Sequence, residues 1–350
     1  MKAAVLRETN HIVYEDFCIS DCKPDEVKVK VMAAGICGSD IHKMMTKWKY
    51  TLPAIMGHEF SGIVVEKGKD VSHVHVGDRV IGIPFIPCHQ CEYCKRGLYS
   101  LCEHYDMVGA NLYGAFAEYV NIKASNVMNI GELDFETASL IEPLAVACHA
   151  VFHIEPKLGD TVAVFGAGTI GLLNIQLLQL AGVQDIIAID ISDKKLRGAE
   201  HFGCSHTINP LKDDLLDKVN EYTNGMGVDI AMECAGSKVT QEQCLLITRK
   251  RGKVGYEGIA YSEVTLSEKA FENIFRRELT LKGFWNSYTA PFPGDEWTKG
   301  LQFVLSGKVR LSEMISHRFE LKDTQKAFDM ITQRKQDYNK VLIIPNKEVY

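Results

Sequence analysis

Four cysteines fall within 15 residues, spaced Cys88-x2-Cys91-x2-Cys94-x7-Cys102. Four thiolates at about 2.3 Å satisfy a tetrahedral zinc ion, and short spacings on a loop let one ion be wrapped. Such a closed site leaves no position for a substrate, so its expected role is to staple a lobe and add folding energy. An iron–sulfur cluster uses the same four ligands; the three-then-one spacing and the lack of a Cys-Pro ending favour zinc. His89 and His104 flank the run and are expected to face solvent. Cys18, Cys22, Cys148, Cys204, Cys234 and Cys244 are expected to be small apolar fillers.

A second set is dispersed. Cys37 lies in Gly35-Ile36-Cys37-Gly38-Ser39-Asp40-Ile41-His42, which ends an early strand. His58 and Glu59 lie in Gly57-His58-Glu59-Phe60-Ser61-Gly62, which begins another, and Glu142 lies in Ile141-Glu142-Pro143 at a helix start. Cys37, His58 and one carboxylate make three protein ligands of mixed type, and a catalytic zinc keeps its remaining position for water or substrate. Singly, each residue is better read as a core thiol, a satisfied core histidine or a helix-terminal charge. Beside the four-cysteine run and the loop described next, an open metal site is the better account.

Gly166-Ala167-Gly168-Thr169-Ile170-Gly171 follows a predicted strand and opens a predicted helix, and the next strand, Ile186-Ile187-Ala188-Ile189, ends in Asp190. This is the dinucleotide-binding context. Gly166 permits the tight turn, Gly168 lets backbone approach a pyrophosphate, and Gly171 allows close helix–strand packing. The helix N-terminus offers N–H groups and a positive dipole end to the phosphates. Asp190 would accept hydrogen bonds from the adenosine ribose and repel a 2′-phosphate, so NAD is expected over NADP, with Lys194 and Lys195 a nearby counterweight. S-adenosylmethionine is the other ligand that such a loop takes.

The elements that must position these residues change character along the chain. Before about residue 140 short strands alternate with Gly and Asp turns: Val27, Val29 and Val31 alternate with lysines, and Phe60–Val65, Arg79–Ile83 and Phe116–Asn121 follow. This suggests a compact, barrel-like β domain. From residue 160 strand-like and helical runs alternate: Val162–Phe165, Leu172–Ala181, Ile186–Asp190, Lys194–Phe202, Leu211–Tyr222, Val228–Glu233, Thr240–Thr248 and Lys253–Tyr256. That pattern implies a parallel sheet covered by helices. Helical stretches near Glu296–Ser306 and Thr324–Gln333 and a strand at Lys340–Ile344 close the chain. The simplest arrangement is an α/β fold: a Rossmann doubly wound parallel sheet, residues 151–285, inserted into a β-rich domain of residues 1–150 plus 286–350.

Composition is that of an ordinary globular protein. The 350 residues exceed one ordinary core of roughly 100–200 residues. With 39 basic and 45 acidic residues the net charge is −6, which argues against nucleic-acid and anionic-membrane partners. Thr161–Gln184 is uncharged and long enough to span a bilayer. Its β-branched start, three glycines and amides Asn174, Gln176 and Gln179 read better as strand, turn and buried helix. An odd count of 11 cysteines without a signal-like N-terminus points to a reducing cytoplasm.

Together, Gly35–His42, Gly57–Gly62, Val76-Gly77-Asp78-Arg79-Val80, the four cysteines, Glu142-Pro143 and Gly166–Gly171 resemble the zinc-dependent medium-chain dehydrogenase/reductase family from end to end. The resemblance implies that the β-rich domain is GroES-like and that the chain is an NAD-dependent alcohol dehydrogenase with two zinc ions, assembling as a homodimer or homotetramer. Availability of Glu142 rather than a second cysteine points to the polyol branch, and Arg277–Thr280 with Asn286–Trp297 to its polyol-phosphate side. The implied reaction is oxidation of galactitol 1-phosphate to tagatose 6-phosphate; sorbitol, xylitol or butanediol are the unphosphorylated alternatives. A non-catalytic nucleotide-binding zinc protein is the alternative outside enzymes. The resemblance also implies roles: Cys37, His58 and Glu142 as catalytic-zinc ligands, with Glu59 as alternative or additional ligand; Ser39 and His42 as a proton relay; Asp40 orienting His58. Lys47, Lys49, Arg276 and Arg277 are the candidate partners of a substrate phosphate.

Overall fold

In the computed structural model, which describes residues 1–333 and 336–346, the chain forms two compact units. One comprises Met1–Pro143 and the chain from Tyr288 onward; the other is Leu144–Ser287. The crossing from the first to the second falls inside the helix Ile141–Ile154, not at the expected residue 150. No turn signal marks a boundary placed within a continuous helix.

The first unit is built on a seven-stranded sheet ordered Val127–Asn129, Arg79–Gly82, Glu59–Lys67, Glu26–Gly35, Lys340–Ile344, Ile315–Glu320, with Tyr119–Lys123 also pairing with Glu26–Gly35. A three-stranded sheet joins His11–Asp16, Lys2–Glu8 and Ala54–Ile55. The alternation read from the sequence appears in Glu26–Gly35: Val27, Val29 and Val31 are fully buried while the intervening lysines are half-buried. The Gly-Asp punctuation falls in the turn before Arg79–Gly82, where Gly77 adopts φ +99°. Lys340–Ile344 pairs antiparallel with Glu26–Gly35, Leu342 opposite Gly35, so the tail does return to the first domain. The diagnostic segment after Asn286 packs beside the cysteine lobe: Tyr288, 1% exposed, stacks on Phe85 at 4.7 Å and exchanges hydrogen bonds with Ser100.

The second unit holds a six-stranded, all-parallel sheet ordered His206–Ile208, Asp185–Ile189, Thr161–Phe165, Val228–Glu233, Thr248–Tyr256, Thr280–Gly283. Thr161–Phe165 and the helix Thr169–Leu180 account for the uncharged stretch that could have spanned a membrane; both are largely buried within this unit. The helix expected from Leu211 starts only at Leu215, because Asp214 takes the N-cap and accepts from the Asp217 N–H at 2.9 Å. The helix Glu268–Arg276 and the strand Thr280–Gly283 were not expected. The strand is exposed throughout and so shows no apolar pattern.

Candidate metal and nucleotide sites

Two strands and a helix start build the open site. Glu26–Gly35 pairs with Glu59–Lys67 so that Gly35 lies opposite Glu59. This brings Cys37, just past the first strand, beside His58 and Glu59 at the start of the second. One ligand atom from each of Cys37, His58 and Glu59 lies within 4.8 Å of the others. Ligands sharing a tetrahedral zinc at about 2.0–2.3 Å must stand at roughly that separation or less. Glu142, 8% exposed and in the first turn of the helix Ile141–Ile154, lies outside that mutual set yet interacts electrostatically with His58 and Glu59.

Cys37 caps the helix Gly38–Met45, and Asp40 sits at its third position. Asp40 is fully buried; one carboxylate oxygen accepts from the Cys37 N–H at 3.2 Å, and the other lies 3.3 Å from His58 Nδ1 and from Lys43 Nζ. Burial alone would raise the Asp40 carboxyl, but His58 and Lys43 outweigh it and hold it well below the usual range. Burial would lower the His58 imidazole, but the charges of Asp40 and Cys37 push it well above its ordinary value. With Nδ1 turned to Asp40, Nε2 is the nitrogen left for a metal.

The sequence reading missed Lys340. It is 2% exposed, ion-pairs with Glu59, and donates to the Ile36 carbonyl at 3.1 Å. Burial would lower its ammonium, but Glu59 and Cys37 raise it. A lysine heading the apolar strand Lys-Val-Leu-Ile-Ile is the only signal that could have marked it. Burial pushes Glu142 up to about 7, His58 opposing and Glu59 reinforcing. Three carboxyl groups (Asp40, Glu59, Glu142) thus lie among His58, Lys43 and Lys340. A buried set of convergent sulfur, nitrogen and oxygen donors fits a divalent transition-metal cation.

Ser39 and His42 are half-buried on the helix Gly38–Met45, three positions apart and therefore on one face.

The lobe cysteines also converge. Cys88, Cys91, Cys94 and Cys102 place their sulfurs within 4.8 Å of one another, and all four are free thiols. Cys88 and Cys94 sulfurs stand 3.9 Å apart, far beyond the roughly 2 Å of a disulfide. Backbone N–H groups aim at the sulfurs: Gln90 and Cys91 at Cys88, and Cys88 at Cys102. Donors from the Cys94 and Glu103 backbone push the Cys91 thiol down to about 6, while burial pushes Cys94 up to about 12. Thiolate-favouring N–H groups around four convergent sulfurs fit a zinc ion. His89 and His104 are exposed and outside the set. Of the remaining cysteines, Cys148 and Cys244 are buried fillers, but Cys18 is exposed and fills nothing.

In the second unit the three glycines take distinct roles. Gly166 has φ +91°, and a Cβ there would stand 3.0 Å from Ala235. Gly168 caps the helix Thr169–Leu180 and faces open space. A Cβ on Gly171 would lie 1.8 Å from the Gly166 carbonyl oxygen, so only glycine closes this turn. Asp190 follows the strand Asp185–Ile189; its carboxylate accepts from the Ala167 N–H at 2.8 Å and the Ser192 N–H at 2.9 Å. Thr169, Ile170 and Lys195 are half-buried in the first turns of their helices.

The four cations proposed for a phosphate separate. Arg276 pairs with Glu272 at 3.0 Å, and Arg277 donates to the Leu246 and Thr248 carbonyls, both away from the glycine turn. Lys47 and Lys49 are exposed on the segment after the helix Gly38–Met45, Lys49 over the Tyr50 ring at 5.6 Å.

Residues 23–132 match the family model for the alcohol dehydrogenase GroES-like domain, and residues 169–306 that for zinc-binding dehydrogenase. The chain is 33% identical over 354 residues to sorbitol dehydrogenase of Bacillus subtilis (strain 168), covering 99% of this chain and 98% of that one. The solved galactitol-1-phosphate dehydrogenase from Escherichia coli superposes with a TM-score of 0.93 at 32% identity, covering 99% of this chain and 100% of the other. A zinc-binding dehydrogenase from Sinorhizobium meliloti 1021, bound to NADP, gives a TM-score of 0.90 at 33% identity over 98% of this chain and 99% of its own.

Proposed function

The chain belongs to the zinc-dependent medium-chain dehydrogenase/reductase family and is an oxidoreductase acting on CH–OH groups; on that premise we propose that it oxidises a polyol phosphate of the galactitol 1-phosphate type with NAD, using two zinc ions per chain. The observation that carries the reading is the Cys37–His58–Glu59 donor set gathered within 4.8 Å. The four-cysteine lobe supports the second, structural ion.

Zinc held by Cys37, His58 and a carboxylate, Glu142 or Glu59, supplies the Lewis acidity that lowers the pKa of the substrate hydroxyl, and NAD supplies the nicotinamide that takes up hydride. Asp40 fixes the His58 ring so that the metal-facing nitrogen is set. Lys340 holds Glu59 by a buried ion pair and so governs how freely that carboxylate reaches the ion. Ser39 takes the hydroxyl proton and His42, one turn on, passes it towards solvent. Gly166, Gly168, Thr169, Ile170 and Gly171 cradle the pyrophosphate, and Lys195 supports the adenosine end. Asp190 favours NAD, since a 2′-phosphate would meet its carboxylate. Lys47 and Lys49, neither of which has a carboxylate partner among the described residues, are the cations offered to the substrate phosphate. A homo-oligomer in the cytoplasm is part of the same proposal.

Likeness to a sorbitol dehydrogenase and to a galactitol-1-phosphate dehydrogenase at similar identity makes the unphosphorylated polyol the second reading. Rates of NADH formation with galactitol 1-phosphate and with sorbitol separate them. Phosphate recognition by charge-assisted contacts should favour the phosphate ester by about tenfold or more in kcat/KM; equal or better turnover of sorbitol removes the phosphate from the reading. Metal analysis tests the remainder: two zinc ions are expected in the wild type and one in Cys37→Ser, with oxidation lost. One zinc ion in the wild type, with nothing changed by Cys37→Ser, would leave only a nucleotide-binding zinc protein.

A further inference from the structure

The nucleotide-binding unit contains a cavity of about 400 Å³ that no step above uses. Its size lies in the range of ligand sites. Val219 and Ile247, each 2% exposed, form the floor, Leu216 and Leu246 the walls, and Met226, 70% exposed, the lip. Val228 and Thr248 are the first residues of adjacent parallel strands, and the cavity opens beside them, at the amino edge of the sheet. Gly166 and Asp190 follow the last residues of their strands, at the carboxyl edge. Dinucleotides bind at the carboxyl ends of such sheets, so this cavity is a different place.

Three cations rim the apolar hollow: Arg249, Lys250 and Arg277. Arg249 is neutralised by Asp229 at 2.5 Å. Arg277 directs one nitrogen, Nη1, at the carbonyls of Leu246 and Thr248, which answers the partial negative charge at a helix C-terminus. Its Nη2 and Nε form no hydrogen bond, and neither Arg277 nor Lys250 has a carboxylate partner among the described residues. Two positive charges without a carboxylate partner among the described residues therefore line the hollow together with five apolar side chains. The loop is held open by glycine: Gly227 has φ +82°, and a Cβ on it would meet the Ile247 carbonyl at 2.6 Å.

We propose that this cavity binds an amphipathic organic anion, with a carboxylate or phosphate head on Lys250 and Arg277 and an apolar body against Val219, Leu246 and Ile247. A polyol would gain nothing from those apolar walls, and a bare inorganic anion would leave them wet.

Isothermal titration of the full-length zinc protein tests this with octanoate, octyl phosphate, 1-octanol and inorganic phosphate. The two amphiphilic anions are expected to bind saturably at one per chain, at least about tenfold more tightly than 1-octanol or phosphate. Whichever of the two is tighter identifies the head group. Lys250→Glu, an exposed charge reversal, should weaken binding about tenfold or more, and Leu216→Trp should fill the hollow and abolish it. Saturating NAD should leave the titration unchanged. The proposal fails if no saturable binding is seen, if 1-octanol or phosphate binds as well, if both variants bind like the wild type, or if NAD competes. None of these readouts involves turnover, so the dehydrogenase reading stands or falls separately.

Discussion

At the scale of single residues, the open site turns on which carboxylate meets the metal. Cys37 and His58 could be picked out by residue type and motif. The choice between Glu59 and Glu142 could not be read that way, because it depends on the Gly35–Glu59 register and on Lys340, which arrives from the far end of the chain. Glu59→Gln removes the ion-pair partner of the buried Lys340, and breaking one side of a buried pair costs about 3–5 kcal/mol. Denaturant unfolding should show that loss, and Glu59→Gln/Lys340→Met should recover most of it. Zinc affinity, measured by chelator competition, should fall further in Glu59→Gln/Lys340→Met than in Glu142→Gln if Glu59 is the resident ligand. The reverse order assigns the ion to Glu142. A second carboxylate reports through pH. Glu257 accepts from Asn174 at 2.6 Å and is pushed up to about 8 by burial, Asn174 opposing. Its folded pKa exceeds its unfolded one, so its protonated form stabilises the fold below the unfolded value near 4.5. That contribution is lost as pH rises towards 8. Glu257→Gln should therefore flatten the decline in stability between about pH 5 and pH 9, and a decline as steep as that of the wild type would contradict the assignment.

At the scale of elements, the closed cysteine run and the glycine turn were legible because everything each needs lies within a few residues. Local spacing is then already geometry. Elements without an apolar stripe were not legible: Thr280–Gly283 is exposed along its length, and His206–Ile208 is a three-residue edge strand. The turn makes a sharp expectation. A methyl group at Gly171 would overlap the Gly166 carbonyl oxygen. Gly171→Ala should cost about 1–3 kcal/mol or more by overpacking and abolish dinucleotide binding measured by NADH fluorescence. Gly168→Ala, which meets no neighbour, should fold normally and lose affinity alone. In the lobe, Cys102→Ser should release one zinc ion and expose the Tyr288 stack. The loss would appear as faster amide exchange at Ser100 and Tyr288, whose backbone groups hold the lobe to the returning chain.

For the whole molecule, the division of donors between the units sets what each ligand stabilises. The donors proposed for the two zinc ions, Cys37, His58, Glu59, Glu142 and the four lobe cysteines, belong to the unit containing Met1–Pro143. The glycine turn and Asp190 belong to Leu144–Ser287. A ligand stabilises what it binds by RT ln(1 + [L]/Kd), about 2.7 kcal/mol at a hundredfold excess over Kd. Zinc withdrawal and NAD addition should therefore be read out in different peptides by hydrogen exchange. Chelation should first raise exchange across residues 35–62 and 88–107, leaving the strands Thr161–Phe165 and Asp185–Ile189 protected. NAD should slow exchange across residues 164–195 with or without zinc. Equal loss of protection at Thr161–Phe165 on chelation would mean that the metal holds both units and that the dinucleotide unit has no stability of its own. Its separate apolar core, centred on Phe165, Ile187, Ala231 and Val254, argues for the first outcome.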